Sequence, residues 1–246
     1  MARTQSETYF EKLCAELCIP LERIPESSGK TPDYKLTLDN LTIITEIKEI
    51  IRNKEEQESD RMLQERGYGN APSSTPGDRV RKKISEASPQ IKALSNGICP
   101  SLLVLFDQGR EASHLDPYHI RVAMYGLEQI HIVVPHDSLV SPYATGKSFG
   151  PKRKMTKEHN TSISALGVLF ATHPDKLHLH VYHNKYASVP LQPELFTKYG
   201  VPQFKLGEET AGMTIEKIVI TSSREIFMLL GALWIFARRL MALNWF

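Results

Sequence analysis

The sequence has only three cysteines and almost no excess charge of either sign. Cys14, Cys18 and Cys99 form no even set of disulfide partners and contain no CxxC metal-binding pair. Cys14 and Cys18 are four residues apart on one predicted helix face, which indicates two small core residues in a reducing compartment. The formal charge is +2, so a nucleic acid would have to be bound by local basic patches and not by the overall field.

The chain also shows no internal repeat and no apolar N-terminal segment of the kind that forms a signal peptide. We therefore expect a cytoplasmic protein. Its 246 residues, 41% of them hydrophobic, are enough for a substantial core. This length suits one large domain, or a core domain with a long extension.

The first 50 residues predict a helix followed by a β-hairpin. Apolar residues recur at helical spacing over 6–18, and Pro20 prevents the helix from continuing. Residues 33–38 and 41–50 are rich in strand-forming residues, and the pair Asp39-Asn40 between them favours a tight turn. We expect the helix to pack on the sheet that contains this hairpin.

The remainder predicts alternating helices and strands. A charged helical arm begins at Arg52 and is followed by a loop rich in Gly, Pro and Ser up to Asp78. A second helix over 79–96 contains Pro89 and precedes the apolar strand 101–107. Further helices are predicted at 117–126 and 193–198, and further strands at 130–134, 163–171 and 177–183. This order predicts an α/β fold with a central mixed β-sheet flanked by helices.

The predicted hairpin carries a group of polar residues that is unusual for core strands. Alternate residues of a strand share a face, so Glu46 and Lys48 point the same way, about 7 Å apart. The hairpin brings Asp33 beside them. Two carboxylates and the intervening backbone carbonyl of Ile47 are hard oxygen ligands that suit Mg²⁺. A lysine in this place would orient an attacking water or stabilise charge developing on a phosphorus atom.

These residues, Pro32-Asp33 followed after twelve residues by Glu46-Ile47-Lys48, resemble the signature of the PD-(D/E)XK nuclease superfamily. The resemblance implies a restriction-endonuclease-like core over 1–107 and leaves 108–246 as a C-terminal α/β extension that completes the sheet. In that superfamily the helix before the hairpin often adds a glutamate to the site, and Glu11 occupies the corresponding position here. Glu7 and Glu16 lie on the same helix.

The resemblance further implies a metal-dependent endonuclease that hydrolyses DNA phosphodiester bonds, with Mg²⁺ as cofactor and Mn²⁺ as a substitute. Restriction or defence against foreign DNA is the expected setting, and a repair or recombination nuclease, such as a junction resolvase, is the nearest alternative. A competing hypothesis is a non-catalytic interaction module with the same fold. A further interpretation is that Glu46 and Lys48 form an ordinary surface ion pair and no metal site.

Backbone recognition of DNA requires basic residues, and two clusters are candidates. The first cluster lies at the start of the second predicted helix, and the other cluster lies in a loop that contains Gly and Pro. The candidate contacts are Arg79, Arg81, Lys82 and Lys83 in the first cluster, and Lys152, Arg153 and Lys154 in the second. Lys83 or Gln90 would also reach the carboxylates if that face of the helix is turned toward them. Charged runs of this kind also occur on ordinary solvated faces.

Three other features resemble functional motifs but lack a part that the motif requires. The stretch 141–148 ends in Gly-Lys-Ser like a phosphate-binding loop but lacks its first glycine. His173, His178, His180 and His183 crowd one region without a convincing further zinc ligand. The apolar tail is interrupted by two arginines, Arg238 and Arg239. The tail therefore indicates a buried helix, or a contact with a second copy or a partner protein, and not a membrane anchor.

Overall fold

The computed structural model describes residues 3–25, 31–69, 75–95, 97–107, 114–136, 139–173 and 176–205. The helices are α1 (Gln5–Glu16), α2 (Lys54–Arg66), α3 (Asp78–Ser95), α4 (Pro117–Tyr125) and α5 (Glu194–Thr197). The strands are β1 (Leu21–Arg23), β2 (Tyr34–Leu38), β3 (Leu41–Ile50), β4 (Ser101–Asp107), β5 (Glu128–Val133), β6 (Tyr143–Phe149), β7 (Ala165–His173), β8 (Lys176–His183) and β9 (Gln203–Phe204). The apolar tail and its expected partner contact lie outside the described residues.

Seven of these strands form one mixed sheet in the order β1-β2-β3-β4-β7-β8-β9. Strands β3, β4 and β7 are parallel to one another, whereas β2 and β8 run antiparallel to their neighbours β3 and β7. The predicted α/β fold with a central mixed sheet is confirmed. Strands β7, β8 and β9 come from the C-terminal side of residue 107, so the sheet continues across the predicted domain boundary.

Helix α1 covers one face of the sheet. Thr4 and Glu7 form a capping box at its start, in which each side chain accepts a hydrogen bond from the other residue's backbone N–H. Phe10, Leu13 and Cys14 are buried in the core that α1 shares with the sheet. Burial raises the pKa of the Cys14 thiol to about 12, so this thiol stays protonated.

Cys18 departs from the prediction that both N-terminal cysteines are core residues. The helix ends at Glu16, and Cys18 lies beyond it in a left-handed conformation with φ of 55°. Its side chain is exposed. The interpretation of Cys18 as a core residue was therefore wrong, because it assumed that the helical spacing continued for two more residues.

The predicted hairpin is confirmed, and its strands differ in length. Strand β2 pairs with β3 from Leu38 opposite Leu41 to Tyr34 opposite Thr45. The turn residues Asp39 and Asn40 have φ of 48° and 64°, as a type I′ turn requires. Beyond Thr45, strand β3 continues for five residues without a β2 partner and pairs with β4 alone.

Helix α3 covers the opposite face of the sheet and is one continuous helix that includes Pro89. Ile84, Ile91 and Val80 pack into a cluster with Leu103 and Leu105 of β4. The side chains of β4 that point the other way belong to the core under α1. Strand β4 is thus buried on both faces, as its continuous apolar run predicted.

Helix α2 is the charged arm expected after Arg52. Glu56 is its one buried side chain among the described residues. The Glu56 carboxylate lies 3.2 Å from the Arg79 guanidinium and 3.0 Å from Nε2 of His114. These contacts attach the arm to the start of α3 and to the segment just before α4.

The later elements also follow the sequence. Helices α4 and α5 and strands β5, β7 and β8 lie at their predicted places. Strand β6 was not predicted: it pairs with β5 in a separate two-stranded sheet, and Gly146 and Lys147 lie within it in paired, extended backbone. The short strands β1 and β9 were also missed. No helix in the described part of the chain has the length and apolar character needed to cross a membrane.

Candidate metal and phosphate site

The candidate site lies where β3 extends past the end of β2. Asp33 is the residue just before β2, and its Oδ2 accepts a hydrogen bond of 2.7 Å from the backbone N–H of Ile47. The aspartate side chain therefore takes the place of the missing strand partner. The N–H and C=O of one strand residue point to the same side, so the Ile47 carbonyl faces this open edge as well.

Glu46 and Lys48 share the sheet face that α3 covers. In the register with β4 they stand beside Leu103 and Leu105, which pack under α3. The Lys48 ammonium forms an ion pair with Oε1 of Glu46. The Glu46 side chain is 0% exposed, whereas that of Lys48 is 24% exposed. The predicted alternation is confirmed, and it puts a buried carboxylate next to an ammonium group that reaches solvent.

Glu46 is an incompletely satisfied buried acid. Burial, followed by the negative charge of Asp33, raises its pKa to about 7, although Lys48 acts in the opposite direction. Apart from the Lys48 ion pair, neither carboxylate oxygen has a hydrogen-bond partner of normal geometry among the described residues. Such buried acceptors are costly unless a further partner satisfies them.

Asp33 shows the same conflict in milder form. Burial raises its pKa, while the Ile47 N–H and the Lys48 charge lower it. Glu7 and Glu46 are also among the groups that act on it. The two carboxyl groups therefore lie close enough for each to affect the ionisation of the other, and burial raises the pKa of both.

The groups at this site that could hold a small divalent cation are all oxygen donors. Asp33, Glu46 and the Ile47 carbonyl would supply oxygen ligands at the open edge of β3. No group of three His, Cys, Asp or Glu side chains within the described ranges is arranged to hold a metal ion. Mg²⁺ is commonly bound by one or two carboxylates and completes its coordination with water. Two carboxylates would therefore be enough for Mg²⁺, whereas a metal ion coordinated entirely by protein groups would need more ligands.

The structure gives the two glutamates of α1 different environments. Glu11, the residue proposed from the resemblance, accepts a hydrogen bond of 2.8 Å from the Tyr34 hydroxyl and lies 3.2 Å from Nε of Arg3. Glu7 is the α1 residue whose charge acts on Asp33, and it also lies 3.2 Å from the Arg23 guanidinium. Glu11 is thus not brought to the carboxylate pair in the expected way. The capping-box pattern Thr4-x-x-Glu7 was the available sequence signal for Glu7.

We predict that Glu7→Gln lowers the pKa of Asp33, because it removes a negative charge that raises this pKa. Glutamine preserves the capping box, so the helix start should be retained. Titration of the Asp33 carboxyl carbon by NMR measures the effect. Glu11→Gln on the same helix is the matched control, and an equal decrease in that variant would contradict the assignment.

One flank of α3 borders the site. Arg79, Lys83 and Gln90 recur at helical spacing along this flank. Gln90 Nε2 donates to the Thr31 carbonyl at 3.2 Å, two residues before Asp33, and the Arg79 guanidinium donates to the carbonyl of Ile51, just after β3. Lys83 lies between these two anchors and forms a 3.0 Å ion pair with Glu86. Lys83 and Gln90 therefore occupy the flank beside the carboxylates.

Arg81, by contrast, is not available for a phosphate. Its guanidinium donates to the Pro76 carbonyl at 2.7 Å and to the Val122 carbonyl at 3.4 Å, and it pairs with Asp78. Arg81 is 5% exposed. The prediction that it contacts DNA was wrong, because its place next to Val80 turns it toward α4. Lys82 is exposed on the outer side of α3.

The second basic cluster lies apart from the carboxylates. Lys152, Arg153 and Lys154 belong to the loop after β6, and Arg153 and Lys154 face the flank of α3 that carries Ser88 and Lys92. On the helix this flank is opposite to that of Lys83 and Gln90. The structure therefore does not gather all predicted basic residues around one point.

The histidines of β8 take part in ring packing. His178 stacks on Phe170 with ring centroids 5.3 Å apart, and His180 contacts the same ring edge-on at 4.8 Å. Burial lowers the pKa of His180 to about 4, which keeps its ring neutral. His183 Nε2 is 3.0 Å from Oε1 of Gln203. These contacts explain the histidine pattern through packing.

Comparison of the chain with protein-family models, curated proteins and solved structures gave no match in any of the three.

Proposed function

We propose that this protein is a Mg²⁺-dependent endonuclease that hydrolyses phosphodiester bonds of DNA. The observation that carries the proposal is Glu46, a fully buried carboxylate that feels the charge of Asp33, has its pKa raised to about 7 and is paired with Lys48. A buried acid with a pKa raised in this way is unfavourable when ionised, whereas a bound cation would compensate its charge.

The succession of elements supports the same proposal. Helix α1, the β2–β3 hairpin, helix α3 and strand β4 follow the order that the resemblance to the PD-(D/E)XK superfamily implies. The acidic pair and the lysine lie on the hairpin, as in the signature of that superfamily. The proposed setting is restriction or defence, because the strands and hairpin beyond residue 107 exceed what a minimal junction resolvase would need.

Asp33, Glu46 and the Ile47 carbonyl would hold the cation. When bound, Mg²⁺ polarises a phosphate and lowers the pKa of a coordinated water. The Ile47 N–H keeps Asp33 in place through a 2.7 Å hydrogen bond, and β4 and α3 keep Glu46 in a water-poor environment. These contacts fix both carboxylates before a substrate arrives, which limits the reorganisation needed during the reaction.

Lys48 would act on the water or on the phosphate. Its ammonium lies between the buried Glu46 and solvent, on the side from which a phosphate would approach. There it would orient the attacking water or stabilise the charge that develops on the phosphorus centre. Lys83, on the neighbouring flank of α3, would add positive charge at the rim.

A plasmid assay tests the proposal. The purified full chain is incubated with supercoiled plasmid in Mg²⁺, in Mn²⁺ and in excess EDTA, alongside Glu46→Ala and Lys48→Ala. Glu22→Ala and Lys35→Ala are matched controls, because Glu22 and Lys35 form an exposed cross-strand pair on β1 and β2, 3.8 Å apart. We expect metal-dependent nicking by the parent and both controls, and a loss of at least about 100-fold in both site variants.

Two outcomes would count against the proposal. Parent activity that persists unchanged in both site variants would reject the assignment of Glu46 and Lys48. If no DNA is cut, Mg²⁺ binding to the parent becomes the decisive measurement, and a chain that neither cuts DNA nor binds Mg²⁺ is better described as a non-catalytic interaction module.

A further inference from the structure

A polar groove of about 460 Å³ lies between α3 and the loop 153–162. We call it the α3 groove. Ser88 and Lys92 line it from the helix, and Arg153, Lys154 and His159 line it from the loop. Its volume is sufficient for more than one phosphate-sized group.

The groove is positively charged. Lys92, Arg153 and Lys154 form no ion pair with any residue in the described part of the chain. Glu158 is the acidic residue of the lining, and its Oε2 accepts a hydrogen bond of 3.1 Å from the Thr156 hydroxyl. Three cations thus face one carboxylate, in contrast to Lys147, which pairs with Glu128 at 2.6 Å elsewhere on the surface.

The loop that carries Arg153 and Lys154 is held in place by backbone hydrogen bonds to α4 and by a buried side chain. The Lys154 N–H donates to the Ala123 carbonyl at 3.0 Å, and the Met155 N–H donates to the Met124 carbonyl at 2.8 Å. Met155 is completely buried. Asn160 closes the loop by donating from Nδ2 to the Lys154 carbonyl at 2.7 Å. A fixed loop presents its charges with less loss of conformational entropy on binding than a free surface segment.

The groove is distinct from the carboxylate site. Ser85, Ser88 and Lys92 lie on the flank of α3 opposite Lys83 and Gln90, and an α-helix with its side chains is about 10–12 Å wide. That width equals about three nucleotide steps of 3.4 Å along a strand. One nucleic acid lying across α3 would therefore reach both places.

We propose that the α3 groove binds phosphate groups and serves as a second anchor for the nucleic-acid backbone. A guanidinium and two ammonium groups on a fixed frame, with the Ser88 hydroxyl beside them, provide the donors and charge that phosphate oxygens require. The phosphate chemistry follows from the groove itself, whereas the choice of nucleic acid over a free nucleotide depends on the function proposed above.

Binding of a fluorescently labelled duplex of about 25 base pairs tests the anchor. The parent protein is compared with Lys92→Gln/Lys154→Gln, which neutralises one groove cation from the helix and one from the loop. The control is Lys157→Gln/Lys176→Gln, a pair of exposed lysines outside the groove. Anisotropy is measured without divalent metal, so that no cleavage occurs, and over a range of salt concentrations.

We expect the groove variant to bind at least about tenfold more weakly near 0.1 M salt, with a log–log salt slope reduced by about 2. The control variant should stay within about threefold of the parent. Thermal unfolding checks that the groove variant is folded. A parallel calorimetric titration with ATP distinguishes the source of the phosphate: ATP binding that is lost in the groove variant, with duplex affinity unchanged, would identify a free nucleotide as the ligand.

The proposal is overturned if the groove variant matches the control for both the duplex and ATP, or if the parent binds neither. These results are independent of catalysis. A parent that binds DNA through the groove but neither cuts it nor binds Mg²⁺ would reject the proposed endonuclease and leave the anchor standing. Cleavage that depends on Glu46 but not on the groove residues would support the proposed endonuclease and reject the anchor.

Discussion

Glu46→Gln is expected to abolish Mg²⁺-dependent cleavage and, in metal-free buffer near pH 8, to make the protein more stable. The loss of a cation ligand should reduce the cleavage rate by at least about 1,000-fold, comparable to the removal of a major electrostatic group from an active site. The gain in stability follows from the pKa of Glu46, which is raised from 4.5 to about 7 in the folded protein.

The sign of the stability change follows from proton linkage. Below about pH 4.5 the carboxyl group is protonated in both the folded and the unfolded chain, and its environment costs no stability. Between pH 4.5 and about 7 the unfolded chain ionises more readily, so stability falls as the pH rises, and the loss is complete above pH 7. Glutamine does not titrate and escapes this loss.

The size of the gain is at most about 3–4 kcal/mol, since the pKa rises from 4.5 to about 7 and each pKa unit corresponds to about 1.4 kcal/mol. For a chain of this length that would raise the unfolding midpoint by about 5–10 °C at pH 8, and by almost nothing near pH 4.5. Differential scanning calorimetry in EDTA at the two pH values measures the difference. Glu22→Gln, at a largely exposed position, should change the midpoint at neither pH.

This pairing of lost activity with gained stability separates a functional site from a structural one. A glutamate that merely held the fold together would lower both quantities when replaced. A lower unfolding midpoint for Glu46→Gln at pH 8 would therefore contradict the view that Glu46 is held in an unfavourable ionised state for the benefit of a bound cation.

Lys48→Gln is expected to reduce cleavage by about 100-fold to 10,000-fold while leaving Mg²⁺ binding in place. The ammonium is assigned to the water and the phosphate and not to the cation. Removing it also removes a positive charge that lowers the pKa of both Asp33 and Glu46. Protons then compete more strongly for these carboxylates, so Mg²⁺ should bind only at higher pH than in the parent.

The measurement is the increase in unfolding temperature caused by Mg²⁺, recorded as a function of pH. The pH at which half of this Mg²⁺-induced increase is reached should be higher in Lys48→Gln than in the parent. Raising the pH should then restore Mg²⁺ binding without restoring the cleavage rate. Lys35→Gln, from the exposed pair on β2, should alter neither quantity. Full cleavage by Lys48→Gln would contradict the assigned role.

The parts of the site that were predictable from sequence are those set by local geometry. The alternation of a strand placed Glu46 and Lys48 on one face, and the turn preference of Asp39-Asn40 fixed the hairpin register that brings Asp33 to Ile47. Each of these inferences needed only the period of a strand or the chemistry of a turn.

The parts that could not be predicted depend on how distant elements pack. Glu7 and Glu11 are one helical turn apart, and the position of α1 over the sheet decides which of them acts on Asp33. Arg81 was predicted to be a surface cation, but its guanidinium donates hydrogen bonds to the carbonyls of Pro76 and Val122. Val122 lies in a helix forty-one residues further along the chain, so this contact could not be predicted locally. Burial of a charged side chain by later parts of the chain leaves no local signal.

The pairing of β3 with β4 has a consequence for the order in which the site forms during folding. Asp33 and Ile47 are only 14 residues apart, so their contact forms with the hairpin, on a timescale of about microseconds. Glu46 pairs in register with Leu103, and β4 pairs with β7 from Ala165 onward, so these contacts close long loops and form slowly. A chain arrested before that stage has a positioned aspartate but a solvated glutamate with an ordinary affinity for protons. The paired acidic site is therefore a property of the completed sheet, and partly folded chains lack it.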